Sequence, residues 1–489
     1  ARLVWWRNGR EPAQVASIVD ALAAAIHKHG LVADDYPFSS FAALREKRRW
    51  STEDKAQIDV LLTLSVARFA QQVRYGRLEP RVVNEIMDYP VRTGDLARSV
   101  RFVAAGTASD RLLGLAPSQS GYRELLERLG QARAEAERGG WDQVEPGSLL
   151  RPGDLDDRVP ALRRRLAVTD GYGFRPHGDL QSPVYDERLE AAVRRFQARH
   201  GLDVDGLIGG MTQRAFAISA QDRVRQIAMN LERWRWLPAY LGHDHFLVNI
   251  PDYHVEIVEE GTLAHRMPVV VGKVDRKTPI FSSRLTWLEV NPTWTVPERI
   301  AELDLLPKAI DDPNYFIDRK IRMYSSWREG APQISTRYIN WENMGERIRY
   351  HRLRQDPGPT NPLGRVKFMM ANNFAIYLHD SNEPHLFDKS IRHLSSGCVR
   401  VADPRWLTGY LIDRPEVWSS GQEEDLFGDW ETKRVSLKRP MPIHLAYFTS
   451  WTGADGAAHY RDDIYGFDSQ MAEAWDQLRR QPISLASLP

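Results

Sequence analysis

Residues 374–401 read FAIYLHDSNEPHLFDKSIRHLSSGCVRV, and this stretch decides how the second half of the chain folds. Every second residue from 374 to 378 is apolar, which predicts a strand with one face toward a core and with Tyr377 and His379 on the other. Residues 398–401 alternate in the same way, with Cys398 and Arg400 sharing one face. If the two strands are neighbours, we expect His379 and Cys398 to meet.

A cysteine beside a histidine suits nucleophilic catalysis. A free thiol with a pKa of about 8.5 is mostly protonated at neutral pH, and a nearby imidazole can accept its proton. Gly397 allows a tight turn, so we expect the backbone N–H groups of Ser396, Gly397 and Cys398 to face a developing oxyanion. The alternative is that Cys398 is simply a small buried apolar residue.

Short runs rich in β-forming residues surround this stretch. They predict an antiparallel or mixed β core. The runs are residues 246–250, 253–258, 267–272, 285–290, 366–370, 374–378 and 443–447. Between them, residues 297 to about 361 have helical and loop character and many aromatic residues, which predicts a lid over the site.

The first 220 residues have a helical pattern. Residues 1–150 carry apolar residues at helical spacing, which predicts a helical scaffold domain without a catalytic cluster. A turn at residues 151–154 precedes a compact unit to residue 220, in which Leu189, Val193 and Phe196 share a helix face and Gly201 is a predicted C-cap. The segment AVRRFQARHGLDVDGLIGGMTQRAF, residues 192–216, closely resembles the three-helix peptidoglycan-binding module of cell-wall enzymes. A helical spacer that does not bind glycan is the alternative.

Composition limits the possible functions. A chain of 489 residues predicts two to four domains, and a net charge of +1 without a basic stripe argues against nucleic acid as a partner. The single cysteine, Cys398, excludes an internal disulfide framework. No segment approaches the roughly 20 apolar residues of an integral membrane helix. The chain starts at Ala1, from which we expect that a signal segment was removed.

Metal chemistry is not expected. His243, His245 and His254 lie among strand residues without a metalloprotease motif, so we interpret them as ordinary surface or core groups. His385 and His393 precede the cysteine and are expected in a loop. The predicted site therefore has no metal and no cofactor.

The segment from Tyr377 to Pro404 resembles the catalytic motif of the L,D-transpeptidases with a YkuD-like domain, in particular the large Gram-negative type. The resemblance implies that Cys398 is the acylated nucleophile, that His379 is the general base and acid, and that the backbone carbonyl of Asp380 orients the imidazole. Further matches are residues 271–273, 277–279, 291–294 and 361–364. In the shorter relatives a histidine stands at the position of Ser396 and an asparagine at that of Arg400, so a role of that second histidine is in doubt here.

Four residues are candidates for substrate binding: Tyr377, Arg400, Trp294 and Ser395. A guanidinium such as that of Arg400 suits a substrate carboxylate, because it offers two parallel N–H donors. A structural ion pair of Arg400 is the alternative.

The predicted fold is a multidomain α+β chain in four parts. They are a helical scaffold (1–150), a three-helix peptidoglycan-binding-like domain (151–220), a β-rich YkuD-like catalytic domain (221–455, with the lid insertion about 297–361) and a C-terminal helical tail (456–489). The resemblance implies a periplasmic enzyme that acts on peptidoglycan stem peptides and glycan, with other cell-wall synthases as partners. It also implies that carbapenems acylate this enzyme.

The implied reaction is a 3–3 cross-link, formed through a Cys398 thioester on a donor tetrapeptide with release of D-Ala. Two alternatives stay open at the level of sequence. The first is an L,D-carboxypeptidase, endopeptidase or amidase that acts on peptidoglycan. The second is a catalytically inactive wall-binding scaffold that relies on residues 155–220.

Overall fold

The protein is described from a computed structural model covering residues 3–6, 11–47, 49–170, 179–412 and 420–479. The chain divides into two compact units. The first unit contains residues 1–240 together with 447–489, and the second contains residues 241–446.

The described residues of the first unit up to residue 240 are mainly helical. Its elements are α1 Pro12–Lys28, α2 Phe38–Arg45, α3 Thr52–Tyr75, α4 Pro80–Val83, the short strand β1 Met87–Asp88, α5 Leu96–Ala104, α6 Ala108–Leu113, α7 Ser120–Glu137, α8 Val159–Asp170, α9 Glu187–His200, α10 Gly210–Ala217 and α11 Ala220–Trp236, with 3₁₀ turns at Ala33–Asp35 and Asp179–Gln181. α3 begins where the sequence supplies a capping box, with Ser51 accepting from the N–H of Asp54 and Asp54 accepting from that of Ser51. Helices α1, α3, α5 and α6 contribute to one apolar core.

Helices α8 to α10 enclose a small core of their own. The Phe196 and Phe216 rings stack with their centres 3.9 Å apart. Asp186 caps the start of α9 by accepting from the N–H of Leu189, and Gly201 ends the helix in the left-handed region at φ 65°. The predicted C-cap and the predicted third helix are therefore confirmed.

The second unit is built around a β-sheet. Its elements are β2 His245–Asn249, β3 His254–Glu259, β4 Thr262–Gly272, β5 Ile280–Val290, β6 Trp294–Thr295, α12 Glu298–Ile300, a π-helical turn Ala301–Leu305, α13 Leu306–Asp311, α14 Tyr315–Asp318, β7 Ile321–Tyr324, β8 Gln333–Ile334, 3₁₀ turns Thr336–Tyr338 and Gly345–Tyr350, β9 Arg352–Gln355, β10 Val366–Met370, β11 Leu378–His379, a 3₁₀ turn Pro384–Asp388, β12 His393–Ser395, β13 Val399–Val401, α15 Pro404–Ile412, α16 Ser420–Phe427 and β14 Lys433–Ala446. The strand order β5-β10-β11-β13-β4-β3-β2-β14 closes on itself, because β14 also pairs with β5. Both parallel and antiparallel pairs occur, as the sequence predicts.

The insertion after β5 contains more strand than the sequence pattern indicates. Strands β6, β9, β7 and β8 form a small antiparallel sheet of their own beside the expected helices and loops. An apolar cluster around Phe316, Met323 and Leu353 fills the space between sheet and helices. These strands have only two to four residues, which is too short for a period of two to be recognised in sequence.

The strand predicted over residues 374–378 is wrong in its first part, since β11 contains only Leu378 and His379. The side-chain oxygen of Asn372 accepts from the N–H groups of Phe374 and Ile376 and holds a turn there. Ala375 adopts a φ of 56° in this turn, which no strand residue has.

The last part of the chain belongs to the first unit and contains β15 Ser450–Thr452, β16 Ala458–Tyr460 and α17 Phe467–Arg479. β15 and β16 form an antiparallel hairpin. The predicted tail 456–489 thus includes a strand and a helix, and its residues 480–489 lie outside the described part. The predicted boundaries of the four domains stay predictions. Among the described residues, every helix is too short or too polar to cross a lipid bilayer.

Candidate active site

His379 ends the two-residue strand β11 and is 5% exposed. Its Nδ1 lies 2.6 Å from the backbone carbonyl oxygen of Asp380. A carbonyl can only accept, so the contact with Asp380 is satisfied when Nδ1 carries the proton, and the backbone of Pro362 is a second hydrogen-bond partner of the ring. Burial, followed by the charge of Arg400, lowers the pKa of His379 to about 3, and the imidazole is neutral at neutral pH.

Cys398 directly precedes β13, which lies parallel to β11. Leu378 is aligned with Val399 and His379 with Arg400, and the N–H of Val399 donates to the carbonyl of Tyr377 over 3.2 Å. Strand alternation places Cys398 on the same face as His379. The expected neighbourhood of the two strands is therefore confirmed.

The Cys398 side chain is partly exposed, and its Sγ lies 3.9 Å from the carbonyl oxygen of Ala375. Burial raises the pKa of the thiol to about 11, against smaller opposing effects of the Tyr377 backbone and the Arg400 charge. The cysteine is therefore a neutral thiol at neutral pH. A neutral thiol and a neutral imidazole together are not a resting thiolate–imidazolium pair.

Asp380 acts on His379 through more than its carbonyl. Its carboxylate accepts from the N–H of Arg365 over 2.7 Å and from that of Ser381 over 2.6 Å. A Cβ on Gly364 would lie 2.2 Å from the carboxylate, so only glycine leaves room for it. The two hydrogen bonds to the carboxylate fix Asp380, and with it the backbone carbonyl that orients the imidazole.

The loop before the cysteine is fixed by two hydroxyl groups. Ser395 Oγ donates to the carbonyl of Cys398 over 2.6 Å, and the N–H of Gly397 donates to Ser395 Oγ over 3.1 Å. Thr278 Oγ1 donates to the carbonyl of Gly397 over 2.7 Å and accepts from the N–H of Gly272 over 2.8 Å. Gly397 has a φ of 117°, a backbone conformation that glycine adopts without strain.

These contacts change one expectation about the oxyanion site. The N–H of Gly397 is already engaged by Ser395 Oγ, so in this conformation it does not face a substrate. The N–H groups of Ser396 and Cys398 donate no hydrogen bond within the part of the chain that the structure describes. They remain the two predicted oxyanion donors. Ser395, at 3% exposure, supports the loop, and its predicted contact with substrate stays a prediction.

Arg400 makes the ion pair that was the alternative to carboxylate binding. It donates to Glu383 Oε2 over 2.7 Å and to Ser381 Oγ over 3.2 Å. Its side chain is 15% exposed, and its buried Nε has no partner among the described residues. A role toward substrate stays a prediction.

The two aromatic candidates lie differently. The Tyr377 ring centre is 5.7 Å from that of His379, and burial and the nearby Cys398 raise the pKa of the phenol. Trp294 is 8% exposed and packs in the apolar cluster of the insertion, so its ring is largely hidden from solvent. The predicted substrate contacts of both stay predictions.

Three of the histidines singled out in the sequence have structural partners. His245 Nδ1 lies 3.0 Å from the Gly242 carbonyl oxygen, and His254 Nδ1 lies 2.6 Å from that of Asp252. His393 Nδ1 lies 2.7 Å from the Tyr253 hydroxyl, and His385 is an exposed residue of a 3₁₀ turn. Over the described ranges, no three His, Cys, Asp or Glu residues form a group suited to a metal ion.

Sequence reasoning missed Arg276 and Asp304 as contributors to this region. Arg276 makes a bidentate ion pair with Asp304 of the π-helical turn, and its Nη1 donates to Ser396 Oγ over 2.9 Å. This arginine thus links the insertion to the loop that carries the cysteine. The three residues are far apart in the sequence, and no local pattern joins them.

Comparison with known proteins agrees with this geometry. Residues 243–418 match the family of L,D-transpeptidase catalytic domains called YkuD. The chain carries a YkuD-type L,D-transpeptidase catalytic domain. Residues 156–216 match a putative peptidoglycan-binding domain, and residues 1–129 match a family described as a scaffold domain. The family resemblance and the multidomain α+β fold class predicted from sequence are confirmed.

A putative L,D-transpeptidase of Haemophilus influenzae is 34% identical over 259 residues, which are 52% of this chain. The match spans about half of that relative, 51% of its length. A crystal structure of an L,D-transpeptidase fragment from Xylanimonas cellulosilytica is 16% identical, covers 62% of this chain and 100% of the fragment, and superposes with a TM-score of 0.20. A TM-score this low does not establish a common overall fold.

Proposed function

We propose that this protein is a periplasmic, cysteine-dependent L,D-transpeptidase that forms 3–3 cross-links in peptidoglycan. The observation that supports it most is the placement of Cys398 and His379 on one face of adjacent parallel strands, inside the matched catalytic domain. The match to a peptidoglycan-binding domain supports peptidoglycan as the substrate.

In the proposed reaction, Cys398 Sγ attacks the carbonyl carbon of residue three in a donor tetrapeptide stem. His379 Nε2 accepts the thiol proton as the S–C bond forms, because both groups are neutral at rest and a separated ion pair is unfavourable. The N–H groups of Cys398 and Ser396 stabilise the oxyanion. The amide C–N bond breaks, His379 returns the proton to the leaving nitrogen, and D-Ala departs from the thioester.

In the second half of the reaction, the proton transfers run in the reverse order. A side-chain amine of an acceptor stem attacks the thioester carbonyl and loses a proton to His379, and the thiol of Cys398 is regenerated. Water in place of the amine would give a carboxypeptidase. The insertion, joined to the cysteine loop through Arg276 and Asp304, limits the access of water in this proposal.

Mass spectrometry of the products tests the proposal. Purified disaccharide-tetrapeptide is incubated with the protein and with a Cys398→Ala variant as control. Dimers that lack one D-Ala, present only with the unaltered protein, would support transpeptidation, and fragmentation would locate the cross-link. Tripeptide monomers alone would support an L,D-carboxypeptidase, and cleavage of added dimers an endopeptidase.

Identical products from the unaltered protein and the control would contradict the proposal and favour a wall-binding scaffold. A second measurement addresses the nucleophile directly. We expect a carbapenem to add its mass to the peptide that contains Cys398, and the Cys398→Ala variant to stay unmodified.

A further inference from the structure

A cavity of about 510 Å³ lies in the first unit, whereas the catalytic residues belong to the second unit. Helices α7, α8, α9 and α11 and the hairpin β15–β16 form its walls. Arginine is the most frequent residue among those that line it, and the sole carboxylate in the described lining is Asp455. The Asp455 side chain is 67% exposed and lies 3.9 Å from His459. The arginines are Arg128, Arg165, Arg195, Arg199 and Arg223.

Arg223 is the most informative of these residues. It is 6% exposed, and its Nη1 donates to Gln226 over 2.6 Å. Within the described part of the chain it forms no ion pair, and Tyr460, Asp462 and Asp222 raise its pKa less than burial lowers it. Burial lowers its pKa to about 10, so it keeps its positive charge at neutral pH. A buried cation without a carboxylate partner is costly, and a bound anion would offset that cost.

Aromatic rings hold the cations in fixed positions. The Arg223 guanidinium lies 4.0 Å from the centre of the Tyr460 ring, and that of Arg165 lies 3.6 Å from the centre of the Trp141 ring. Arginines that are held against rings lose little side-chain entropy when they bind a ligand.

We propose that this cavity is an anion-binding site, and that its ligand is a carboxylate-bearing stem peptide of peptidoglycan. The site itself follows from Arg223, because Arg128 of the same lining already pairs with Glu135 over 2.9 Å. The choice of ligand rests on the proposed function and on the fact that α9, which supplies Arg195 and Arg199, lies in the segment matched to a peptidoglycan-binding domain. Phosphate groups share the required chemistry and are the other source of such an anion.

Binding measured by calorimetry tests this site with the full chain in a Cys398→Ala background, so that no turnover occurs. The probes are the disaccharide-tetrapeptide, the same compound with its carboxylates converted to amides, and inorganic phosphate. We expect Arg223→Gln to weaken binding of the tetrapeptide about ten-fold, which corresponds to about 1.4 kcal/mol. The amidated compound should bind as weakly to the unaltered site as the tetrapeptide does to the variant.

Arg225→Gln is the matched control, because Arg225 lies on the same helix, is 68% exposed and does not line the cavity. Arg195→Gln, at an exposed position of the lining, gives a second variant that leaves the core intact. Binding that depends on Arg223 and Arg195 for phosphate alone would keep the anion site and overturn the stem peptide as its ligand. Equal affinities of the Arg223, Arg195 and Arg225 variants for every probe would overturn the site.

The outcome is separable from that of the proposed function, since the calorimetry needs no catalysis. If Arg223→Gln leaves binding of every probe unchanged while the unaltered protein still forms cross-linked product, this site alone would be rejected. Arg223-dependent binding without any cross-linked product from the unaltered protein would reject the proposed reaction alone.

Discussion

Each of the two reacting residues is kept neutral by its surroundings. His379 is buried and donates from Nδ1 to a carbonyl, which raises the basicity of the ring less than burial lowers it. For Cys398, burial raises the pKa of the thiol more than the positive charge of Arg400 lowers it. The resting site therefore stores no thiolate, and the thiol becomes nucleophilic only as its proton moves to His379.

The first prediction concerns alkylation of Cys398 by iodoacetamide. Only the thiolate reacts, and the pKa of Cys398 in the folded protein is about 11. We therefore expect the alkylation rate to keep rising with pH at least to pH 10. Because Cys398 is the single cysteine of the chain, mass spectrometry reports this one site. A plateau of the rate near pH 6 or 7 would indicate a preformed thiolate–imidazolium pair and contradict the prediction.

The second prediction concerns Asp380→Ala. Removing the carboxylate frees the N–H groups of Arg365 and Ser381, so the carbonyl that orients His379 shifts. We expect kcat to fall about 10- to 100-fold with little change in KM, since a small misplacement affects the transition state most.

Asp380→Asn is the matched variant, because it keeps one acceptor oxygen, and it should recover part of the lost kcat. The measurement is steady-state release of D-Ala. A rise in KM with unchanged kcat would show that Asp380 acts on substrate binding instead.

At the level of elements, the cysteine loop depends on strands that are remote in sequence. Thr278 lies between the end of β4 and the start of β5, yet its hydroxyl joins Gly272 to Gly397. A Cβ on Gly272 would lie 2.2 Å from the carbonyl oxygen of Arg276, so the chain can make this turn only with glycine there. The loop is therefore positioned by the sheet, and its own sequence fixes only its glycine and serine turns.

The third prediction follows for Thr278. Thr278→Val keeps the volume but removes a hydroxyl that satisfies a buried N–H and a buried C=O, at a cost of about 1–3 kcal/mol for each group left unpaired. We expect a lower unfolding midpoint in urea and slower acylation of Cys398. Thr278→Ser keeps the hydroxyl and should retain acylation close to the original rate. Equal behaviour of the two variants would contradict the role of the hydroxyl.

At the level of the whole molecule, both units bury histidines that burial keeps neutral. Burial lowers the pKa of His29 to about 3 and that of His200 well below its usual value in the first unit. In the second unit it lowers the pKa of His379 to about 3 and that of His444 to about 4. Each histidine binds a proton more readily in the unfolded chain than in the folded one.

The fourth prediction is acid destabilisation. As the pH falls below about 6.5, the unfolded chain takes up protons that the folded chain does not, and each such histidine removes up to about 1.4 kcal/mol of stability per pH unit until its folded pKa is reached. Melting temperatures should decrease steadily from pH 7 to pH 5. His444→Gln should weaken this dependence, whereas His243→Gln, at an exposed position, should not. A flat profile would contradict the prediction.

The sequence alone determined the features that depend on local chemistry. Gly201 was predicted to end a helix because glycine adopts the left-handed conformation without strain, and it is the C-cap of α9 in the structure. Runs rich in β-forming residues located the strands of five residues or more in the described part of the second unit. The Cys398 and His379 motif was also recognisable, because its spacing is local to one segment.

The tertiary structure decided what depends on distant partners. It engages the N–H of Gly397 with Ser395, pairs Arg400 with Glu383, and turns residues 374–377 out of the predicted strand through Asn372. It also brings arginines of four helices that are remote in sequence into one cavity. Hydrogen bonds and ion pairs act over a few ångströms in space, and only the folded chain determines which distant residues come that close.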